Sequence, residues 1–179
     1  TGFSHIKLYF MIGIPGENED DVAGIVRMAE QCARLRQSAG LGGPGQVTAS
    51  VSTFVPKALT PFQWHGQIRP ELMAEKQAFL WGLQRVRSVK INPHDPAESL
   101  LEGVISRADR RMGAVIEGAW RRGARFEGWN EHRSLDPWRA AWDEAGYGPE
   151  ETAHRERARD ENMPWDHLDL GVTRANLRQ

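Results

Sequence analysis

The hydrophobic pattern of the chain predicts strands alternating with helices in its first half and helices alone in its second. Residues 8–14 carry no charge, which is typical of a strand covered on both faces of a parallel sheet. Acidic residues then open a helix over residues 20–36, whose apolar positions recur at helical spacing. A second strand, in which apolar residues alternate with threonine and serine, is predicted over residues 46–55.

A helix over residues 70–87 and a short strand over residues 88–91 complete a β-α-β-α-β order. This order predicts an α/β domain over residues 1–92, as half of a barrel or half of an open sheet. Residues 93–179 are predicted to form a mainly helical domain. In it, an apolar stripe from Leu100 to Trp120 indicates one continuous helix, and a short helix over residues 136–145 ends at Gly146. Residues 150–162 are almost wholly polar, as in a solvated helix or a mobile segment.

Composition narrows the class of protein. The 179 residues are 40% hydrophobic, which suffices for one domain core with or without an appendage. The net charge is -1 and neither half has a strong basic excess, so no nucleic-acid surface is indicated. No apolar run reaches the roughly 20 residues of a membrane helix, and the single Cys32 excludes an internal disulfide. We expect a cytoplasmic protein, a packed thiol and, since the chain enters a strand almost at once, a fragment.

The turn Gly13-Ile14-Pro15-Gly16-Glu17 is the strongest candidate for a ligand site, because such strand-to-helix loops bind ligands in α/β folds. Acidic residues at positions 17, 19, 20 and 21 would repel a phosphate, and neither a P-loop nor a dinucleotide-binding glycine pattern is present. Free amides beside carboxylates suit a neutral or cationic ligand, such as a nucleoside with an amino acid tail. The alternative is a turn that only closes a tight connection.

Other candidates for chemistry are weaker. The six histidines lack the spacing of a metal site, although His167 between Asp166 and Asp169 fits either a carboxylate-histidine pair or a structural role. No Gly-x-Ser-x-Gly motif supplies a nucleophile. The loop of residues 54–64 is either packed on its own sheet or exposed for binding. Five of the seven tryptophans lie in the second half, which favours a helical domain packed through its indoles.

Two motifs of the first half are Lys7-Leu8-Tyr9-Phe10-Met11-Ile12-Gly13-Ile14-Pro15-Gly16-Glu17, and Val51-Ser52-Thr53-Phe54-Val55-Pro56-Lys57 with Thr60-Pro61-Phe62-Gln63-Trp64. They resemble the later strands of radical SAM enzymes, and most closely those of the cobalamin-binding group. Residues 99–104, 123–129 and 164–167 also resemble the tail of that group, so the resemblance covers nearly all of the chain.

This resemblance implies the C-terminal portion of a partial (β/α)6 TIM-like barrel, followed by a mainly helical region. It also implies an S-adenosylmethionine pocket whose adenine is contacted near the end of the first strand and bound at its edge by backbone at the end of the second. The implied pocket residues are Ile12, Gly13, Pro15, Gly16, Glu17, Ser52, Phe54 and Val55. The implied cofactors of the parent protein are S-adenosylmethionine, a [4Fe-4S] cluster and cobalamin.

The cluster-binding Cys-x3-Cys-x2-Cys loop of that family is absent, and one thiolate cannot hold a [4Fe-4S] cluster. We therefore expect the C-terminal fragment of a radical SAM enzyme, inactive alone, whose partners are the missing N-terminal barrel half and an unnamed substrate. The alternative is a noncatalytic protein-interaction module that uses the loop from Phe54 to Trp64 and the tryptophan-rich second half. Half a barrel leaves the first strand without a neighbour, so self-association through this edge is also predicted.

Overall fold

The structure, a computed structural model, describes residues 3–126, 128 and 134–178. It has a mixed α/β fold, as predicted. Glu127, Trp129 and His132, which belong to patterns discussed above, lie outside the described residues. The elements are β1 His5–Ile12, α1 Glu19–Ser38, β2 Gln46–Thr53, α2 Pro70–Leu83, β3 Val89–Pro93, α3 Pro96–Arg107, α4 Met112–Arg121, α5 Asp136–Ala145 and α6 Arg174–Leu177.

The chain divides into two compact units. The first comprises Thr1–Phe54 and Ile68–Ser99, and the second comprises Val55–Gln67 and Leu100–Gln179. The chain therefore passes between the units three times, whereas the predicted boundary at residue 92 allowed one crossing. No helix within the described ranges is both long and apolar enough to span a membrane.

The three strands of the first unit form one parallel sheet in the order β1-β2-β3. Tyr9 lies opposite Ser50 in the register, and Ser50 lies opposite Asn92. Parallel neighbours need crossover connections, which α1 and α2 supply. The strands thus lie in the sheet in the order in which they occur along the chain, and α1 and α2 each connect two neighbouring strands.

Helix α1 begins at a capping box. The side chain of Asn18 accepts hydrogen bonds from the amides of Asp20 (2.8 Å) and Asp21 (3.1 Å), and the Asp21 carboxylate accepts one from the Asn18 amide (3.0 Å). The acidic first turn also complements the positive end of the helix dipole. The local sequence therefore fixes the start of this helix within one residue of the prediction.

The core of the first unit lies on one face of the sheet, between the strands and both helices. Helices α1 and α2 contact each other and the sheet, so they share this face. Cys32 is half-buried and packs against the same core as a free thiol. The fully packed members are Ile12, Val22, Ile25, Val26, Ala29, Ala33, Val47, Ala49, Val51, Met73, Leu80, Val89 and Ile91.

Strand β1 is not covered on both faces, so this expectation from the sequence is wrong. Leu8 and Phe10 pack on the core, but Tyr9 is 74% exposed and Met11 is 46% exposed. Within the described residues, β1 pairs only with β2 and forms one edge of the sheet. The uncharged run indicated a strand buried on both faces because a hydrophobic pattern does not distinguish exposed tyrosine and methionine from core residues.

The predicted continuous helix through Trp120 is also interrupted, between α3 and α4. The Asp109 carboxylate accepts a hydrogen bond from the Arg111 amide (2.9 Å), and the Asp109 carbonyl accepts one from the Met112 amide (3.0 Å). The Tyr147 hydroxyl accepts the Asp109 amide at 2.9 Å. These contacts hold a turn where the apolar spacing alone predicted helix.

The second unit contains a core of apolar residues from α3, α4 and α5. Trp138 and Trp142 of α5 are buried in it, and α5 ends as predicted at Gly146, which adopts a left-handed φ of 55°. Residues 150–162 form turns and irregular chain rather than a helix. Thr152, Ala153 and Arg157 of this segment are buried, so it is part of the packed structure despite its polar sequence.

The loop of residues 54–64 passes into the second unit. Trp64 is buried in a cluster with Met163, Trp165 and Leu177, and the Trp165 indole donates a hydrogen bond to Gln63 Oε1 at 2.6 Å. The loop is therefore neither packed on its own sheet nor fully exposed, which were the two alternatives left open by the sequence.

Candidate functional site

The turn from Gly13 to Glu17 folds back on itself at the carboxyl end of β1. Both carboxylate oxygens of Glu17 accept a hydrogen bond from the Gly13 amide at 3.1 Å. The Lys76 Nζ atom of α2 lies 2.8 Å from Glu17 Oε1. Gly13 has φ 86°, and a Cβ there would lie 2.9 Å from atoms of Ile68 and Met73. The turn thus requires glycine, and Glu17 stabilises the fold instead of presenting a free charge.

Two of the other three acidic residues, Asp20 and Asp21, also have partners within the protein. Asp20 forms an ion pair with Arg27 at 2.9 Å, and Asp21 accepts the Asn18 amide in the capping box. The sequence argument against phosphate assumed unpaired carboxylates. It is weaker than expected, because three of the four acids are engaged locally.

An open groove of about 580 Å³ lies beside this turn, between the edge of β1 and the first half of α1. Ile14, Pro15, Gly16 and Glu17 are part of its lining. A Cβ on Gly16 would meet nothing within 4 Å, so the space next to this residue is open. The lining of this groove does not include Ser52 or Phe54 of the second predicted strand end.

The ends of β1 and β2 are nevertheless joined by hydrogen bonds. The Phe54 amide donates to the Ile12 carbonyl at 2.8 Å, and the Ser52 hydroxyl donates to the Phe10 carbonyl at 3.1 Å. Ile12 and Phe54 are buried, while Ser52 is half-buried. Val55, the last predicted pocket residue, is buried and belongs to the second unit. The structure therefore joins the backbones of Ile12 and Phe54, whereas Ser52 bonds Phe10 and lies on the face of the sheet opposite the Ile12 side chain.

The face of the sheet opposite α1 and α2 is unusually polar for a parallel sheet. We name it the polar sheet face, defined by Lys7, Tyr9, Met11, Thr48, Ser50, Ser52, Lys90 and Asn92. Lys7, Tyr9, Lys90 and Asn92 are exposed. Parallel sheets are normally covered on both faces by apolar contacts. A polar, open face on such a sheet is therefore a candidate surface for ligand binding.

A hydroxyl and an imidazole meet at the carboxyl end of this face. The Ser50 hydroxyl lies 3.4 Å from His94 Nε2. The His94 backbone is held on both sides, because its amide donates to the Val51 carbonyl (2.8 Å) and its carbonyl accepts from Gln77 Nε2 (2.9 Å). Gln77 is itself buried in α2. Strand β2 and helix α2 thus fix the backbone of His94, the residue that carries the imidazole.

The polar sheet face was missed as a site at the sequence level. Its signal was the alternation of Thr48, Ser50 and Ser52 along β2, which was recognised only as a strand pattern. Lys7 and Tyr9 became visible as members of the same face only when the parallel register placed them opposite Thr48 and Ser50. A face shared by three strands is a property of the register, which single-strand patterns do not contain.

No metal site emerges from the residues that the structure describes, because their His, Cys, Asp and Glu side chains form no group of three that suits an ion. The proposed pairing of His167 is not among the described contacts. Asp166 accepts the Met163 amide at 2.7 Å, and Asp169 accepts the Gly171 amide at 2.8 Å. Both carboxylates thus stabilise turns.

The most buried charge of the second unit is Arg107. Its guanidinium donates to the carbonyls of Gln63 (3.2 Å), Thr152 (3.1 Å) and Arg155 (3.1 Å). Burial, reinforced by the neighbouring cation of Arg157, lowers the pKa of Arg107 to about 10. Arg107 therefore stays charged at neutral pH and ties three segments together, which is a structural role.

Comparisons with models of protein families, with curated proteins and with solved structures give no match for this chain.

Proposed function

We propose that this chain is the C-terminal half of a radical SAM barrel, contributing part of an S-adenosylmethionine pocket at the carboxyl ends of β1 and β2. The main support for this proposal is the connectivity of the sheet. Strands follow in chain order, all parallel, with α1 and α2 on one face. This singly wound arrangement is that of β/α barrels, whereas doubly wound folds place helices on both faces.

The polar sheet face and the open edge of β1 support the same proposal. In a barrel, the face opposite the helices becomes the interior, and Tyr9 and Met11 would be covered there. An additional parallel strand would pair with the free edge of β1. The same edge is also available to a second copy of the chain, so the predicted self-association remains an alternative. A sedimentation measurement that gives a monomer would exclude it.

The residues present fit part of the implied cofactor set. Open space beside Gly16 and the joined strand ends at Ile12 and Phe54 are compatible with a nucleoside. When bound, S-adenosylmethionine would supply radical chemistry, while this chain would orient it through backbone groups. The chain does not fit a [4Fe-4S] cluster, since Cys32 is its only cysteine and is packed on the core. Nothing in the described residues indicates a cobalamin site, so cobalamin remains an implication of the resemblance.

The complete gene tests this proposal. We expect three cysteines at Cys-x3-Cys-x2-Cys spacing upstream of this segment. The encoded protein, reconstituted with iron and sulfide without oxygen, should show cluster absorption and should cleave S-adenosylmethionine to 5′-deoxyadenosine after reduction. An upstream sequence without such cysteines, or a protein that binds no cluster, would remove the proposal.

A matched pair of glycine variants tests the position of the pocket in that protein. Gly16 and Gly40 both have positive φ, 86° and 68°, and a Cβ on either would meet nothing within 4 Å. Alanine therefore introduces similar backbone strain at both sites. Gly16→Ala should weaken S-adenosylmethionine binding several-fold, whereas Gly40→Ala, at the opposite end of the strands, should not. Equal effects would indicate general destabilisation.

A noncatalytic interaction module is a second candidate, favoured by exposed apolar residues on α4. Trp120 is 57% exposed and lies one turn from the exposed Ile116. The alternative that used the Phe54 to Trp64 loop has less support, because Trp64 is buried. Cluster binding by the full-length protein separates this candidate from the first.

A further inference from the structure

The polar sheet face has cations without counter-charges. Lys7 and Lys90 both lie opposite Thr48 in the register, so one row across the sheet reads Lys-Thr-Lys. None of the strand residues that define this face is a carboxylate. Strands are about 4.8 Å apart, which separates the two lysine Cα atoms by roughly 10 Å. Their long, flexible side chains have the reach to converge on one group above Thr48.

These two lysines differ from the other two lysines of the chain. Lys57 and Lys76 each form an ion pair with a glutamate, at 2.5 and 2.8 Å. Among the ion pairs of the described residues, neither Lys7 nor Lys90 takes part. Lys7 instead lies over the Tyr9 ring, 4.9 Å from its centroid. Within the part of the chain that the structure describes, the two lysines outside these ion pairs are thus the two on this face.

Polar groups continue the surface in the row towards the carboxyl end of the strands. Ser50 and Asn92 are paired in the register there, and the His94 imidazole lies within 3.4 Å of the Ser50 hydroxyl. Ser50 is buried and contacts His94, whereas Asn92 and His94 are exposed and offer hydrogen bonds to neutral parts of a ligand. Positive charge in one row and hydrogen-bonding groups in the next suit a polar molecule with an anionic end.

We propose that the polar sheet face binds the substrate through an anionic group, a phosphate or a carboxylate, held between Lys7 and Lys90. This inference rests on the proposed function, in which the face lines a barrel interior. Two cations enclosed there without a counter-charge would be strongly unfavourable, and an anionic substrate supplies that charge. Asn92 and His94 then bind the remainder of the substrate.

Lys7 and Lys90 are exposed in this chain, so the anion site can be tested directly by NMR. Isotope-labelled protein is titrated with inorganic pyrophosphate and, separately, with malonate, each against sodium chloride of equal ionic strength. We expect the amide signals of Thr48 and Lys90 to shift in a saturable way. Saturation with pyrophosphate alone identifies a phosphate, and saturation with malonate alone identifies a carboxylate.

Charge variants decide whether the two lysines cause the binding. Lys7→Gln and Lys90→Gln should each weaken it roughly fivefold, the scale of one exposed charge interaction. Lys7→Arg should retain it, and Lys57→Gln, which changes the net charge equally, should leave it unchanged. Absence of saturable shifts, or an equal loss in Lys57→Gln, would overturn the inference.

The outcome is separable from that of the proposed function. Cluster assembly in the full-length protein does not depend on Lys7 or Lys90. Failure of anion binding alongside a bound cluster would remove only the substrate class. Anion binding without a cluster would instead remove the radical chemistry and leave the measured anion site.

Discussion

Replacing Arg107 with methionine should strongly destabilise the second unit. The side chain is fully buried and makes three charge-assisted hydrogen bonds to carbonyls, each worth about 1.5–3 kcal/mol. Its lowered pKa, about 10 against 12.5, means that the surroundings disfavour the charge by about 3 kcal/mol, which the substitution relieves. The net loss of unfolding free energy is therefore about 2–6 kcal/mol.

Urea unfolding followed by tryptophan fluorescence measures this loss. Arg107→Lys keeps the charge but cannot reach all three carbonyls, so it should also be destabilised. Arg110→Met, at a nearby exposed position, is the matched control and should change stability by less than about 0.5 kcal/mol. Equal midpoints for Arg107→Met and the control would refute the reasoning.

Hydrogen exchange locates the effect. The Arg157 amide donates to the Trp64 carbonyl, and the Gln67 amide donates to the Ala153 carbonyl, both at 2.8 Å within the second unit. These amides should lose protection in Arg107→Met, whereas the amides of β2 should lose less. A uniform loss throughout the chain would show that Arg107 does not act through these segments.

Three further changes test the first unit and the α3–α4 turn. Gly13→Ala should lower stability by about 1–3 kcal/mol in urea unfolding, because of its φ and its close contacts, whereas Gly43→Ala, in open space, should not. Asn18→Ala should reduce thermal stability by about 1 kcal/mol, and Asn18→Ser should restore most of it. The hydrogen bond from Arg111 lowers the pKa of Asp109, so the carboxylate stabilises the fold above its unfolded pKa near 4 and loses this effect as pH falls through its folded pKa. Melting temperatures between pH 6 and 2 should fall more steeply for the wild type than for Asp109→Asn, and parallel curves would contradict this.

Elements with local signals were predictable from the sequence. Helix α5 has Pro137 in its first turn and is capped at Gly146, and α1 starts at a capping sequence, so backbone chemistry within a few residues defines these ends. The alternation in β2 likewise predicted which side chains face the core. These features depend on contacts along the chain rather than across it.

Features that depend on distant partners were not predictable in this way. The break before α4 is held partly by Tyr147, far along the chain from Asp109. Arg107 donates hydrogen bonds to two carbonyls of the polar segment of residues 150–162 and holds this segment in the packed structure. In the sequence, Arg107 is only a charged residue within an apolar helix pattern, and such a pattern does not predict its partners. The candidate site has the same origin, since the pairing of Lys7 and Lys90 across Thr48 arises only from strand register.

The repeated passage of the chain between its two units has a consequence for biosynthesis. The first unit is complete once Ser99 has left the ribosome, but the second contains Val55–Gln67 and must wait for later residues. The Gln63 amide oxygen bonds Trp165, 102 residues further on. Until that residue is made, the early segment and its Trp64 side chain lack their final packing. Such late closure exposes apolar surface to chaperones and neighbouring chains during synthesis.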